Sequence, residues 1–229
     1  MRVENLSKDF YSAHAQRYAQ IADEFIQSVY TKSSHPALTS DLDLMARLKE
    51  LMPPGGRGLD AGCGAGARDV VYYWRDGYDI VGVDVVEENI RVARELHPEI
   101  ADRVSVADLS RPLDYPDASF DFVMCNAVIQ HIDPATAKGV TLPELARMLK
   151  PGGVLQLMFK VGAGIKAVYD RDYDTKRTFQ LYQPEEVISV LDSQGLELIP
   201  ADGDKLGGVI YFTDPKPVDH CVFYARRVR

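Results

Sequence analysis

"RGLDAGCGAGARDVV", residues 57–71, is the stretch on which the reading turns. A short apolar run ends in an acid, Asp60, and passes into three glycines at alternate positions, Gly62, Gly64 and Gly66. Glycines between a strand and a helix let a ligand approach the backbone closely, because no Cβ stands in the way. With Ala67, the same letters also satisfy G-x-G-x-x-G/A, the dinucleotide pattern. The glycines alone leave two readings open, a ligand loop or a tight strand–helix turn.

On either side of the loop, strand and helix patterns alternate. "RGLDAG", "DIVGVDV", Arg103–Ala107, Phe120–Asn126 and "VLQLMFKV" read as strands. Helical patterns over Ala67–Asp76 and Val86–Leu96 separate the first three. Thr141 and Glu144 read as a capping box for a helix over Leu142–Leu149 that "KPGG" ends. A helix over Pro184–Gln194 and closing strands at Leu196–Ile199 and His220–Ala225 follow. Before the loop, Asp9–Ser28 reads as one or two helices and Asp41–Met52 as another, joined by the polar "YTKSSHPALTS". Such alternation predicts a doubly wound α/β sandwich, with ligands at the carboxyl ends of the strands, near the first of them.

Composition narrows the function classes. Lys and Arg number 26 against 34 Asp and Glu, a formal net charge of -8 over 229 residues. That balance opposes binding by phosphate neutralisation, so no nucleic acid partner is expected. The first residues carry scattered charges and no apolar core, and no apolar run is long enough for a span, so neither a secretory signal nor a membrane is expected. Cys63, Cys125 and Cys221 form no disulfide framework and no C-x-x-C pair, and a cytoplasmic setting is the simplest. Metal ligands at magnesium-site spacing are absent from the sequence pattern, so no metal is expected.

Charge chooses between ligands. Asp84, at the end of the next strand, suits a ribose, which a dinucleotide and other adenosine compounds share; as a helix N-cap it needs no ligand. Asp60 stands where a dinucleotide places its pyrophosphate, and like charges there repel by about a kcal/mol or more. A cationic sulfonium compound without phosphate meets no such penalty.

With these residues in place, the chain resembles the class I S-adenosylmethionine-dependent methyltransferases. "LDAGCGAG" is similar to that family's D/E-x-G-x-G-x-G signature, "VGVDV" to its ribose-binding strand end, and "VSVADLSRPLDYPDASFDFVMCNAVIQHI" to the segment leading through its fourth strand. "LPELARMLKPGGVLQLMF" is similar to the entry to its fifth, so the resemblance covers about residues 58–160. It implies a Rossmann-like sheet of seven strands with helices on both faces, mostly parallel with one antiparallel strand near the C-terminus. It also implies S-adenosyl-L-methionine as cofactor and S-adenosyl-L-homocysteine as product. Carried over, Asp60, Gly62, Cys63, Gly64 and Gly66 surround the methionine part, Asp84 and Val85 the ribose, Asp108 and Leu109 the adenine, and the Asn126 carbonyl the ammonium. "YSAHAQRY" is similar to a Y-x-x-x-A-x-x-Y helix that closes over the cofactor, through Tyr11 and Tyr18. The resemblance thus implies one domain, with an N-terminal extension over 1–52 and a core over 53–229.

The acceptor is less legible. His131 follows the fourth strand and is the candidate base, with packing of the turn as the other reading. "CNAV" lacks the N/D/S-P-P-Y/F of amide methylation and the Pro-Cys of cytosine C5 chemistry. An insertion over 161–183 is rich in rings and charge, and Tyr169, Tyr173, Arg177, Phe179 and Tyr182 are candidates to line a small-molecule pocket. The expectation is an O- or N-methyltransferase of a small molecule, a monomer or homodimer. A protein or peptide methyltransferase, a non-catalytic cofactor-binding subunit that activates a partner, and an NAD-dependent oxidoreductase stand as alternatives.

Overall fold

The apolar runs around the glycine loop do lie side by side in one sheet. The computed structural model describes residues 3–26, 29–214 and 219–228. In chain order its elements are α1 (Val3–Phe25), β1 (Lys32–Ser33), α2 (Asp41–Leu51), β2 (Arg57–Ala61), α3 (Arg68–Arg75), β3 (Asp79–Asp84), α4 (Glu87–Leu96) and β4 (Val104–Val106). The second half holds β5 (Phe120–Asn126), α5 (Pro134–Thr136), α6 (Leu142–Met148), β6 (Leu149–Lys160), β7 (Ile165–Asp170) and β8 (Thr175–Gln180). It ends with α7 (Pro184–Ser193), β9 (Leu196–Leu198), β10 (Ile210–Thr213) and β11 (Asp219–Arg227). Ser28, placed in the first helix by its sequence, lies outside the described residues.

The main sheet runs β1-β10-β11-β6-β5-β2-β3-β4, with β9 also paired to β11. Its centre, β6-β5-β2-β3-β4, is parallel. The sheet has nine strands among the described residues rather than seven, and β11, β10, β9 and β1 all join it antiparallel. The extra members, β1 and β10, are short strands at one edge, pairing through two and four residues. From β2 the chain steps outward through β3 to β4, then crosses to β5 on the other side of β2. That reversal places the crevice of the fold at the carboxyl ends of β2 and β5.

Both faces are covered because the central strands are apolar on both sides. Val123 and Cys125 of β5 pack with Leu145, Val187 and Leu191 from α6 and α7. Phe122 and Met124 pack on the other face with Leu44, Leu48, Val70 and Tyr73 from α2 and α3. Gly58 makes room for this layer: a Cβ there would lie 2.1 Å from Cζ of Phe122.

Two local expectations need correction. Thr141 does not cap a helix, because helical backbone already runs from Pro134 under an Asp133 cap and Thr141 is interior to it. Its hydroxyl donates instead to the Leu109 carbonyl at 2.8 Å, and Glu144 accepts from the Leu113 amide at 2.8 Å. The 161–183 insertion contains a two-stranded antiparallel hairpin, β7–β8, standing apart from the main sheet.

Candidate cofactor and acceptor site

The glycine loop is built as a cradle. Gly62 and Gly64 have φ of +106° and +66°, backbone that side chains avoid. Gly62 and Cys63 amides both donate to the Val83 carbonyl, at 2.8 and 2.9 Å, which folds the loop over the end of β3. Asp84 then pins it: Oδ2 accepts from the Gly64 amide at 3.0 Å, while Oδ1 accepts from the Val86 amide at 2.8 Å and Asn89 Nδ2 at 3.1 Å. Burial pushes this carboxyl above the usual carboxylate range, and the three donors oppose the rise. Tyr18 of α1 lies over Gly64, where a Cβ would come within 2.7 Å of its ring.

Next to the loop opens a cavity of about 840 Å³, near the upper end of the roughly 300–1,000 Å³ of small-molecule sites. The structure brings Tyr11, Tyr18, Asp60, Gly62, Cys63, Gly66 and Asn126 to its wall. Gly64, Asp84, Val85, Asp108, Leu109 and His131 are not on that wall. Val85 borders a second depression between α1 and α4. Asp108 is turned into its own loop, accepting from the Ser110 amide at 2.9 Å and hydroxyl at 2.5 Å, the geometry of a loop cap.

The wall near the loop is acidic. Asp60 is 5% exposed, and burial first, then Asp69 and Asp84, pushes its carboxyl well above the usual range. Beside it Arg68 bridges Asp41 and Asp69, each at 2.7 Å. Gln156 Oε1, also on the wall, is buried without a hydrogen-bond partner, while its amide donates to Asn126 Oδ1 at 3.1 Å. Buried carboxyls and a bare acceptor call for a ligand bearing positive charge and N–H donors. Burial raises the Cys63 and Cys125 thiols, so neither is a ready thiolate nucleophile.

The opposite wall comes from β6, the β7–β8 hairpin and β11. Tyr169, Tyr173, Arg177 and Phe179 of the insertion line it, as their composition suggested; Tyr182 does not, donating instead to the Ile132 carbonyl at 2.7 Å. Arg177 sits among rings, its Cζ 5.0 Å from the centres of Phe10 and Phe179 and 5.1 Å from that of Tyr11. It pairs with Asp170 at 2.9 Å and donates to the Tyr11 hydroxyl. His131 is clasped behind this wall, with Ser7 Oγ 2.8 Å from Nδ1 and Tyr11 Oη 3.3 Å from Nε2. Burial, with Arg177 and Lys160 nearby, pushes its imidazole well below its ordinary range, so it is neutral.

Sequence reading missed Lys160, His220, Arg68, Gln130 and Gln156, all on the cavity wall. Lys160 and His220 are register partners in β6 and β11, 60 residues apart, with Lys160 Nζ 2.7 Å from His220 Nε2. Only the pairing of the closing antiparallel strand could have revealed them.

Residues 59–157 match the family model described as "Methyltransferase domain". Over 135 residues the chain is 31% identical to 2-methyl-6-phytyl-1,4-hydroquinone methyltransferase of Synechocystis sp., covering 59% of this chain and 39% of that protein. The chain thus spans about two fifths of that relative's length. It is 28% identical to the ubiquinone biosynthesis O-methyltransferase of Xanthomonas axonopodis pv. citri, over 86% of this chain and 85% of that one. Among solved structures, Burkholderia thailandensis 1,6-didemethyltoxoflavin-N1-methyltransferase, with bound 1,6-didemethyltoxoflavin and S-adenosylhomocysteine, matches the fold. The TM-score is 0.65 at 18% identity, over 98% of this chain and 88% of that one. Among the described residues no helix is long and apolar enough to cross a membrane, and no His/Cys/Asp/Glu group is placed to hold a metal ion.

Proposed function

We propose that the chain is a class I S-adenosylmethionine-dependent methyltransferase and that it methylates an oxygen or nitrogen of a small molecule, a reading supported by the match of residues 59–157 to the methyltransferase domain. The observation that carries this reading is one cavity with an acidic, glycine-cradled end and an aromatic, cationic end. When bound, S-adenosylmethionine supplies a methyl group already activated on a positively charged sulfur.

The residues present fit that cofactor. Asp60 and the bare Gln156 Oε1 suit its cationic methionine end, and Gly62 and Gly66 admit it against the backbone. Asp84 has three of its roughly four acceptor directions filled. It therefore takes one ribose hydroxyl directly, and a second requires Asn89 to give way. Asp108 and Leu109 receive the adenine, which asks Asp108 to turn from Ser110. Tyr11 and Tyr18 of α1 form the roof. Holding the acceptor in line with the methyl group supplies much of the rate enhancement in such a reaction. Relatives named for methylation of a hydroquinone and for O-methylation in ubiquinone biosynthesis support a small, oxygen-bearing acceptor.

Calorimetry tests the premise: S-adenosylhomocysteine should bind without added metal, and NADH should not compete. Tight binding of NADH at the same site would sink the reading.

Asp60 gives a second expectation with a definite sign. Its carboxyl is raised in the folded chain, so in the ligand-free protein stability falls as pH climbs from the usual carboxylate range through the raised value. A cationic ligand favours the ionised form, so within that window binding releases a proton and affinity rises with pH. Heats measured in two buffers of different ionisation enthalpy should differ for the native protein and agree for Asp60→Asn. Equal heats for both proteins across that window would separate Asp60 from the ligand's charge.

A further inference from the structure

Two basic nitrogens meet at the acceptor end of the cavity. Lys160 closes β6 and His220 lies near the start of β11, both buried on the cavity wall, with Nζ and Nε2 2.7 Å apart. Neither an ammonium nor an imidazolium offers a lone pair, so a hydrogen bond this short requires one facing nitrogen to be unprotonated. The surroundings keep it so. Lys160 Nζ lies 4.6 Å from the centre of the Phe179 ring, which it shares with the Arg177 guanidinium at 5.0 Å. His220 stacks on Phe212, and Asp214 Oδ2 stands 3.9 Å from its other nitrogen. Asp170 balances Arg177 at 2.9 Å. Burial and a second cation over the same ring both oppose a doubly protonated pair, against the pull of the Asp214 carboxylate on the imidazole.

We propose that Lys160, backed by His220, holds the acceptor's oxygen as an anion, so that the acceptor is a small, flat molecule with an ionisable oxygen of the phenol or carboxylic acid type. This rests on reading the cavity as a methyl-transfer site. The flatness follows from the aromatic lining, to which Phe179, 4.6 Å from Lys160 Nζ, and Tyr173 contribute. An acceptor arriving protonated meets the pair in its uncharged form and gives its proton to the Lys160 amine: the O–H bond breaks, its electron pair stays on oxygen, and a new N–H bond forms. Lys160 is then an ammonium facing an oxyanion, with His220 accepting from it. An acceptor arriving ionised meets the pair already carrying that one proton. His131 is less able to serve, since both its ring nitrogens have neighbours and it lies behind Tyr11.

The test uses 4-nitrophenol, whose visible absorbance reports its ionised form. With S-adenosylhomocysteine saturating and the pH below the phenol's own midpoint, the protein should raise the ratio of anion to phenol in the bound probe by about tenfold, one pKa unit. Benzoate displacing the probe would name carboxylates as the source, and failure to displace it phenols; benzamide should do nothing. Lys160→Met should abolish the anion signal while calorimetry shows S-adenosylhomocysteine still bound. His220→Gln should weaken it several-fold, and it carries the test if Lys160→Met does not fold. No anion signal from the native protein, a signal that survives both substitutions, or one lost only in His131→Asn would overturn the proposal. Failure of S-adenosylhomocysteine to bind would instead remove the methyl-transfer reading, while the absorbance shift measured without it still decides what Lys160 does.

Discussion

Replacing Asp84 by alanine is expected to lower affinity for S-adenosylhomocysteine by about a hundredfold or more and to destabilise the ligand-free protein as well. The carboxylate organises three donors at once, from Gly64, Val86 and Asn89. Without it the Gly64 amide is left bare in the loop meant to receive the ligand, and the start of α4 loses its anchor. A hydrogen bond to a charged group contributes about 1.5–3 kcal/mol, so the lost ribose contact and loosened cradle together reach the roughly 2.7 kcal/mol of a hundredfold change. Stability should fall by about 3 kcal/mol, or about 6–12 °C in melting temperature for a chain of this size. Asp84→Asn keeps an acceptor oxygen and should fall between. Calorimetry and thermal denaturation read both quantities. Native-like affinity in a folded Asp84→Ala protein would place the ribose elsewhere.

Gly58→Ala tests the fold beneath the site. The added methyl would lie 2.1, 2.4 and 2.5 Å from three atoms of the Phe122 ring. That ring cannot retreat: it is fully buried, with Tyr73 and Tyr78 at 5.6 and 5.9 Å between ring centres. Overpacking of this kind costs about 3 kcal/mol or more, a loss of about 6–12 °C. Gly58→Ala combined with Phe122→Leu should be more stable than Gly58→Ala alone, because the second change removes the obstructing ring atoms. A loss below about 1 kcal/mol would mean that β2 and β5 do not meet in this register.

What could be read from the sequence was whatever is encoded locally. The glycine loop and the strands Arg57–Ala61, Asp79–Asp84 and Phe120–Asn126 announce themselves by apolar runs ended by acids, asparagine or glycine. The hairpin β7–β8 does not, because most of β7 faces solvent and the turn, with φ of +51° at Asp174, uses no glycine. The Thr141 capping pattern misled because S/T-x-x-E also occurs inside helices, where its members bond to other parts of the fold. Cofactor-side residues fall within one segment and share a loop, hence their legibility. The acceptor wall is assembled from Tyr11, Lys160, Arg177 and His220, residues of four separate elements that only the register of β6 against β11 and the placement of α1 bring together.

The edge pairing of β1 has a consequence for how the protein is made. Thr31 bonds to the carbonyl of Thr213, 182 residues further on, and Lys32 and Ser33 pair with Thr213 and Phe212. Strand β10 in turn reaches the central sheet only through β11. On the ribosome, the segment that carries Tyr11 and Tyr18 into the cavity roof emerges well before its tether at the sheet edge, which follows 182 residues after Thr31. The parallel core can collapse first, since its partners are nearer in sequence, whereas β1 closes a loop of 182 residues and pays its entropy later. A nascent chain stalled before β10 therefore exposes the glycine loop without an anchored roof, and the roof gains its tether only once β10 and β11 have emerged.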